Sequence, residues 1–300
     1  RSHRAAFAIL VTACTLTSVA HAQARPAAGA DTVALTEWDV PWGAADRPRD
    51  PSVAPDGRIW FVGQEGNYVA RFDPTSKKFE RFEIDAGTHP HTVAVDPTGD
   101  AWYAGNRNGM IGRIDGKTGK ITRYPMPEAA ARDPHTIAFD KQGNLWFTLQ
   151  NSNMVGFLNK ASGAVKLATM STPRSRPYGI VLDKAGRPWF NLFGTNKVGT
   201  IDPASMRVRE YVLPDERARG RRIALTTDGG VWYVDYSRGF LGRLDPVSGA
   251  VREWAMPGVR AGAAATVVLA LTLGGCSWFG SDRGTIGRAV VPKAGIKPIG

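Results

Sequence analysis

The sequence predicts an all-β fold, a β-propeller, because one pattern recurs along the chain. The pattern is an apolar strand, a turn with glycine, then tryptophan followed by a second aromatic residue. Its six tryptophans are 42, 44, 43, 43 and 46 residues apart: Trp60, Trp102, Trp146, Trp189, Trp232 and Trp278. Forty-odd residues is the length of one four-stranded propeller blade. A chain of 300 residues that is 43% hydrophobic can also bury a sizeable core. We therefore expect six recognisable four-stranded blades.

The second unit shows the four predicted strands. Residues 91–96 alternate as an inner strand, and residues 101–104 form a second strand whose Trp102 we expect to pack between neighbouring blades. Residues 110–115 and 121–125 form the third and outer strands. One position of the third strand is glycine in most units, which we interpret as close backbone approach between sheets: Gly112, Gly156, Gly199, Gly242 and Gly287.

The two ends of the repeat array predict how the ring closes. Residues 33–38 look like the outer strand at 251–254, and the unit that contains Trp278 has no obvious outer strand of its own. We expect the N-terminal strand to complete the last blade, because this removes free sheet edges.

The first 22 residues have the features of a secretory signal peptide. Arg1 and Arg4 form a basic start, residues 5–20 are an apolar run, and a small-x-small site ends at Ala22. Cleavage there predicts a periplasmic or secreted protein with a flexible lead at residues 23–31.

The remaining chain divides into a propeller at residues 32–292 and a tail at residues 293–300. Removal of the signal peptide lowers the formal net charge from +11 to +9. The basic residues are scattered over turns and strand faces, so we interpret them as a solvated surface and predict no nucleic-acid partner. Cys14 leaves with the signal peptide and Cys276 has no partner, so no disulfide is predicted. We expect a monomer.

Several repeated elements resemble the streptogramin (virginiamycin B) lyase family. They are Pro-His-Thr-Val or Pro-His-Thr-Ile at 90–93 and 134–137, Ile-Gly-Arg-Ile-Asp at 111–115 and Trp-Phe at 146–147. The resemblance covers residues 32–258 and 277–292, and it implies a propeller of seven blades where this sequence shows six.

The sequence departs from the family's seven-blade pattern at residues 259–277. The chain is uncharged from Ala261 to Ser281, so this stretch could be a membrane span, a lipid-attachment site at Cys276 or a strand of an abnormal sixth blade. A deletion or fusion at this point is also open. We favour the strand, because the stretch lies inside a repeat array, and predict no membrane span.

Candidate ligand-binding residues occupy one repeat position, eleven residues before each tryptophan. The position holds different side chains from unit to unit: Arg49, His91, His135, Tyr178, Arg221 and Val267. A structural position would repeat one residue type, so this variety predicts side chains that line a central funnel. We expect Arg49, Tyr178 and Arg221 to bind a small molecule or a cyclic peptide there. The alternative is that these are ordinary exposed residues where a loop meets a strand.

The family resemblance implies a chemistry for this funnel. The related enzymes open the lactone-type ester of a cyclic peptide antibiotic by elimination, with a histidine base, a magnesium ion and carboxylates. The positions of the family motif fall here on Val268, Thr266, Arg221 and Asp282, of which only Asp282 keeps suitable chemistry.

A similar local pattern lies elsewhere on the predicted ring. Asp133 precedes His135 by two residues, and His91 lies in the blade before. We predict His135, Asp133 and His91 as the catalytic set, with Asp133 orienting the His135 imidazole. Gln150 and Asp282 are the predicted magnesium ligands.

Three function classes stay open at this point. The first is a metal-dependent carbon-oxygen lyase that acts on a cyclic depsipeptide ester. The second is a non-catalytic binding or scaffold propeller in the periplasm, and the third is a propeller lactonase. A lactonase needs several carboxylates in the channel, and the aligned inner positions offer few beyond Asp133.

Overall fold

The computed structural model describes residues 36–256. Over this range the chain forms one short 3-10 helix, Ala44–Asp46, and twenty β-strands. No helix in this part of the chain is long and apolar enough to cross a membrane.

The strands follow one another in five groups of four. The first two groups are β1 Pro48–Val53, β2 Ile59–Gly63, β3 Tyr68–Asp73, β4 Lys78–Glu83, β5 Pro90–Val95, β6 Ala101–Gly105, β7 Met110–Ile114 and β8 Ile121–Pro125. The third and fourth are β9 Pro134–Phe139, β10 Leu145–Leu149, β11 Met154–Leu158, β12 Val165–Thr169, β13 Pro177–Leu182, β14 Pro188–Leu192, β15 Lys197–Ile201 and β16 Val208–Val212. The fifth is β17 Gly220–Leu225, β18 Val231–Asp235, β19 Phe240–Leu244 and β20 Val251–Ala255.

Each group forms its own antiparallel sheet, with the strands paired in chain order. The inner strands β1, β5, β9, β13 and β17 contact one another in this order, each with its neighbour. This is the arrangement of propeller blades around one axis, and it confirms the predicted fold class.

Five of the six predicted blades fall within the described residues. The sixth, around Trp278, lies outside them, as do the predicted signal peptide and lead, the stretch at 259–277 and the tail at 293–300. Residues 36–38 are the only described part of the predicted closing strand. The closure therefore stays a prediction.

The repeat tryptophans form the contacts between blades, as predicted. Trp60, Trp102, Trp146 and Trp189 are each at most 1% exposed. Trp102 packs in one cluster with residues of the following sheet, including Leu145, and its indole N–H donates to Asp96 over 3.0 Å. Burial of such a large side chain in each of the first four blades fixes the spacing between their sheets.

The interpretation of the third-strand glycines as sites of close backbone approach was wrong. A Cβ on Gly112 would lie 2.0 Å from the ring of Tyr103, and one on Gly156 would lie 2.2 Å from the ring of Phe147. These aromatic rings belong to the paired second strand of the same sheet. The glycine therefore makes room for the aromatic residue that follows each tryptophan.

The last described sheet differs from the others in its tryptophans. Trp189 packs on the following sheet, in one cluster with Val231 and Tyr233. Trp232 is only partly buried, and it stacks at 5.5 Å on Trp254, which is 45% exposed. The chain that follows this sheet, beyond residue 256, lies outside the described residues.

Candidate functional site

The candidate site lies where the inner strands begin. Four of the five inner strands begin with proline, and a register shift follows in the pairing with the second strand. The first position of a strand tolerates proline, because no ladder hydrogen bond is required there. A bulge changes the direction of the side chain beside it. The residue after the first position therefore turns away from the regular sheet pattern and lines the central cavity.

The cavity has a volume of about 360 Å³ and is lined by two sets of residues. One set is the predicted position at the start of each inner strand: Arg49, His91, His135, Tyr178 and Arg221. The other follows the end of each second strand: Gln64, Asn106, Gln150, Phe193 and Tyr236. Arg47 completes the lining. The predicted funnel is present, and all five of its described inner-strand residues share it.

Two imidazoles of the lining lie against each other, with their planes tilted by 32°. The ring centroids of His91 and His135 lie 3.5 Å apart, and the centroid of Tyr178 lies 4.4 Å from that of His135. Burial holds the pKa of both histidines well below the ordinary value; the charge of Arg49 lowers the His91 pKa further, and His91 does the same to His135. Both rings are therefore neutral near pH 7 and able to accept a proton.

The hydrogen bonds around His91 fix which of its nitrogens carries the proton. The Thr92 hydroxyl donates to Asp50 Oδ2 over 2.8 Å, so its oxygen is left to accept from His91 Nδ1, 3.1 Å away. His91 Nδ1 also lies 3.5 Å from Asp50 Oδ2. His91 is thus held with its proton on Nδ1, and Nε2 carries a lone pair.

The backbone conformation of Asp50 places its carboxylate beside Thr92. Its φ is 46°, in the left-handed region that aspartate tolerates better than most residues, at the bulge of β1. This conformation brings a carboxylate of the first blade against Thr92 of the second. Such strain is typical of functional positions.

The predicted role of Asp133 in orienting His135 needs correction. Its carboxylate accepts hydrogen bonds from the backbone N–H groups of Asn151 and Ser152, and from the Ser152 hydroxyl. The Nδ1 of His135 lies instead 2.9 Å from the hydroxyl of Thr136. Asp133 holds a turn of its own blade, because N–H groups at that turn require an acceptor.

Two arginines flank the histidine pair, and each donates a hydrogen bond to an uncharged side chain. Arg49 donates from Nη1 to Gln64 Oε1 over 2.8 Å. Arg221 donates from Nη2 to Tyr178 Oη over 3.2 Å, and its guanidinium lies 5.1 Å from the ring centroid of Tyr236. Both predicted binding arginines are therefore oriented before any ligand arrives.

The described residues do not fit a magnesium ion. Within residues 36–256 no group of three or more His, Cys, Asp or Glu side chains could hold a metal. Gln150, predicted as a magnesium ligand, lines the cavity, but three arginines line it too and oppose a cation. Asp282, the other predicted ligand, lies outside the described residues.

Sequence reasoning missed five residues that lie in or beside the cavity. Asp50, Thr92 and Arg222 lie one position after the predicted ring, and Phe193 and Tyr236 lie four positions after a tryptophan. The offset that singled out Gln150 could have found the two aromatic residues. Nothing in the sequence joins Asp50 to His91, because they come from different blades.

Comparison with known proteins agrees with the propeller fold. Residues 20–289 match the model of the Virginiamycin B lyase family. Virginiamycin B lyase from Staphylococcus aureus is similar in structure, with 23% identity, a TM-score of 0.68 and 75% of each chain covered. A streptogramin B lyase is 26% identical, with a TM-score of 0.67 over 75% of this chain and 73% of that one. A catalytically inactive variant of the Staphylococcus aureus enzyme with quinupristin has 23% identity and a TM-score of 0.66 over 75% of each chain. No curated protein matches the sequence.

Proposed function

The chain belongs to the Virginiamycin B lyase family, and on that premise we propose that it is an exported carbon-oxygen lyase. Its substrate is a cyclic depsipeptide or a related ester, bound in the central funnel. One observation carries the proposal: a buried, neutral His91 whose Nδ1–H donates to the Thr92 hydroxyl, which in turn donates to Asp50, so that the lone pair is on Nε2.

The chemistry needs a base of this kind. Elimination begins when a base removes a proton from the carbon α to a carbonyl, and an imidazole must be unprotonated to do so. The C–H electron pair becomes the new C=C bond, the alkyl C–O bond of the ester breaks, and its electron pair leaves with the carboxylate. The proton rests on His91 Nε2, where Thr92 and Asp50 stabilise the imidazolium.

His135 is the second proposed catalytic residue, because its ring lies against both His91 and Tyr178. Arg49 and Arg221 offset negative charge as it develops. Magnesium, which the family resemblance implies, stays a proposed cofactor, although the described lining of the cavity does not fit it.

The test uses quinupristin as substrate with the wild-type protein, His91→Ala and His135→Ala. Elimination leaves the product mass unchanged and creates a double bond, whereas hydrolysis by a lactonase adds one water. We expect an opened product of unchanged mass and a loss of about 100-fold or more in turnover for each variant. His89→Asn, outside the cavity lining and at a φ of 44° that asparagine tolerates, is the matched control. Equal turnover in all four proteins would contradict the proposal.

Two further measurements test the proposed metal requirement and the proposed export. Assays with added magnesium and with EDTA test the proposed metal requirement. Mass spectrometry of the mature protein tests export: an N-terminus at residue 23 supports it, and an intact segment 5–22 opposes it.

A non-catalytic binding propeller is the second candidate. The oriented arginines and the row of aromatic rings in the funnel favour it, because they suit ligand recognition without any chemistry. Quinupristin that binds in the funnel and is recovered unchanged would support this candidate over the lyase.

A further inference from the structure

One position of the cavity lining changes its chemistry from blade to blade. It lies four residues after each repeat tryptophan, directly after the second strand of the blade. In the first three blades this residue carries an amide, and in the fourth and fifth it carries an aromatic ring: Gln64, Asn106, Gln150, Phe193 and Tyr236. The cavity therefore has an amide side and an aromatic side.

The backbone at this position is held in the same way on both sides. The N–H group of Gln64 donates to the carbonyl of Arg47 over 3.2 Å. In the same manner, the N–H group of Phe193 donates to the carbonyl of Arg176 over 3.1 Å. Each acceptor is the residue just before the inner strand of its blade. Because the fold accepts an amide or a ring here with one backbone geometry, blade packing does not require the ring.

The two aromatic rings are also not part of the core. Phe193 and Tyr236 are half-buried, and within residues 36–256 neither belongs to the apolar clusters of the core. The Arg221 guanidinium lies 5.1 Å from the centroid of Tyr236, so part of that ring is already in contact. Phe193 contacts the rings of Tyr178 and Tyr236, at centroid distances of 5.4 Å and 5.8 Å. The rest of the Phe193 ring gains free energy when an apolar group covers it.

The aromatic side extends as far as the proposed base. The ring centroid of Tyr178 lies 4.4 Å from that of His135, which in turn lies 3.5 Å from that of His91. A continuous series of ring contacts thus joins Phe193 to His91. The aromatic side and the proposed base lie on one wall of the cavity.

We infer that Phe193, with Tyr236 beside it, binds an aromatic side chain of a peptide ligand and selects ligands that carry one. The inference rests on the proposed function for the kind of ligand, a cyclic peptide ester. Aromatic pairs gain free energy beyond the burial of their area, so a ring is preferred here over an aliphatic side chain of similar size. The recognised group is uncharged.

An NMR titration of the full chain with two neutral probes tests this selection. The probes are N-acetylphenylalaninamide and, as the matched ligand without a ring, N-acetylleucinamide. We expect the wild type to bind the phenylalanine amide about 3-fold to 10-fold more tightly than the leucine amide. Phe193→Gln should lose this preference, and its fold is protected because Gln64 and Gln150 occupy the same repeat position.

Two further variants separate the ring from other effects of substitution. Phe193→Tyr keeps the ring and should keep the preference for the phenylalanine amide. Trp254→Gln removes a 45% exposed ring outside the cavity lining and should bind both probes as the wild type does. Circular dichroism of each variant checks the sheet content.

Three results would overturn the inference. They are equal affinity of the wild type for the two amides, no measurable binding of either, or a preference that Phe193→Gln retains. The outcome is separable from that of the lyase proposal. A protein that prefers the phenylalanine amide through Phe193 but leaves quinupristin intact keeps the inference and loses the lyase. One that opens quinupristin without preferring the ring loses the inference alone.

Discussion

The tryptophan position and the funnel position of the repeat lie eleven residues apart and behave in opposite ways. The first is tryptophan in all five described blades, and the second is Arg, His, His, Tyr and Arg. The tryptophans of the first four blades pack against the next sheet, so the repeat offers each of them a similar environment. The funnel side chains meet one another in one cavity, where five copies of one charged residue would repel. In this chain, a repeat position that keeps one residue type therefore indicates packing, and a repeat position with different residue types indicates the candidate site.

The largest expected effect is on the packing side of this comparison. Trp146→Ala should lower the free energy of unfolding by about 3–5 kcal/mol, because it removes a large side chain buried between two sheets. Trp254→Ala, at a 45% exposed position, is the control and should cost about 1 kcal/mol or less. Urea denaturation measures both, and equal losses would remove the distinction between buried and exposed tryptophans.

On the site side, Thr92→Val should reduce turnover by about 10-fold to 100-fold with little change in stability. The valine keeps the shape of the side chain but removes the hydroxyl between His91 and Asp50, worth about 1.5–3 kcal/mol in the charged state. Steady-state kinetics over pH measure the effect. Thr136→Val is the matched control beside His135, and a larger loss there would move the base from His91 to His135.

The histidine pair should also make stability depend on pH. Because the pKa of each imidazole is depressed in the folded chain, the unfolded chain binds more protons once the pH falls below about 6.5. Stability should be full above that pH and should decline by about 1 kcal/mol per imidazole between about pH 7.5 and 5.5.

Urea midpoints at the two pH values test this decline. The double variant His91→Gln with His135→Gln should lose less stability on acidification than the wild type. A steeper decline in the double variant would mean that the imidazoles are not held neutral by the fold.

The smallest expected effect concerns Asp133, which does not contact the proposed base His91. Asp133→Asn should lower stability by about 1 kcal/mol, because the charge that accepts from Asn151 and Ser152 is lost. Turnover should stay within about twofold, in contrast to Asp50→Asn, which should behave like Thr92→Val. A large loss of turnover in Asp133→Asn with unchanged stability would restore its predicted catalytic role.

Much of the fold could be predicted from the sequence because propeller contacts repeat with the chain. The spacing of Trp102 and Trp146 was enough to place both in buried second strands, and the strands of the second unit fall within about one residue of their predicted bounds. The same register located Arg49, His91 and Tyr178 at one end of the inner strands. The sixth unit depends on the chain around Trp278, outside residues 36–256.

The sequence by itself thus determined the blade, its buried tryptophan and the repeat position that lines the cavity, because these follow from the repeat length and from the variety of side chains at one position. Only the tertiary structure decided what those side chains do to one another. Asp50 and Thr92 are 42 residues apart in sequence, and their hydrogen bond depends on the bulge of one blade and its packing against the next. Asp133 is near His135 in sequence, yet its carboxylate turns to the backbone N–H groups that need an acceptor. Distances across blades are set by how sheets pack, and no local pattern encodes them.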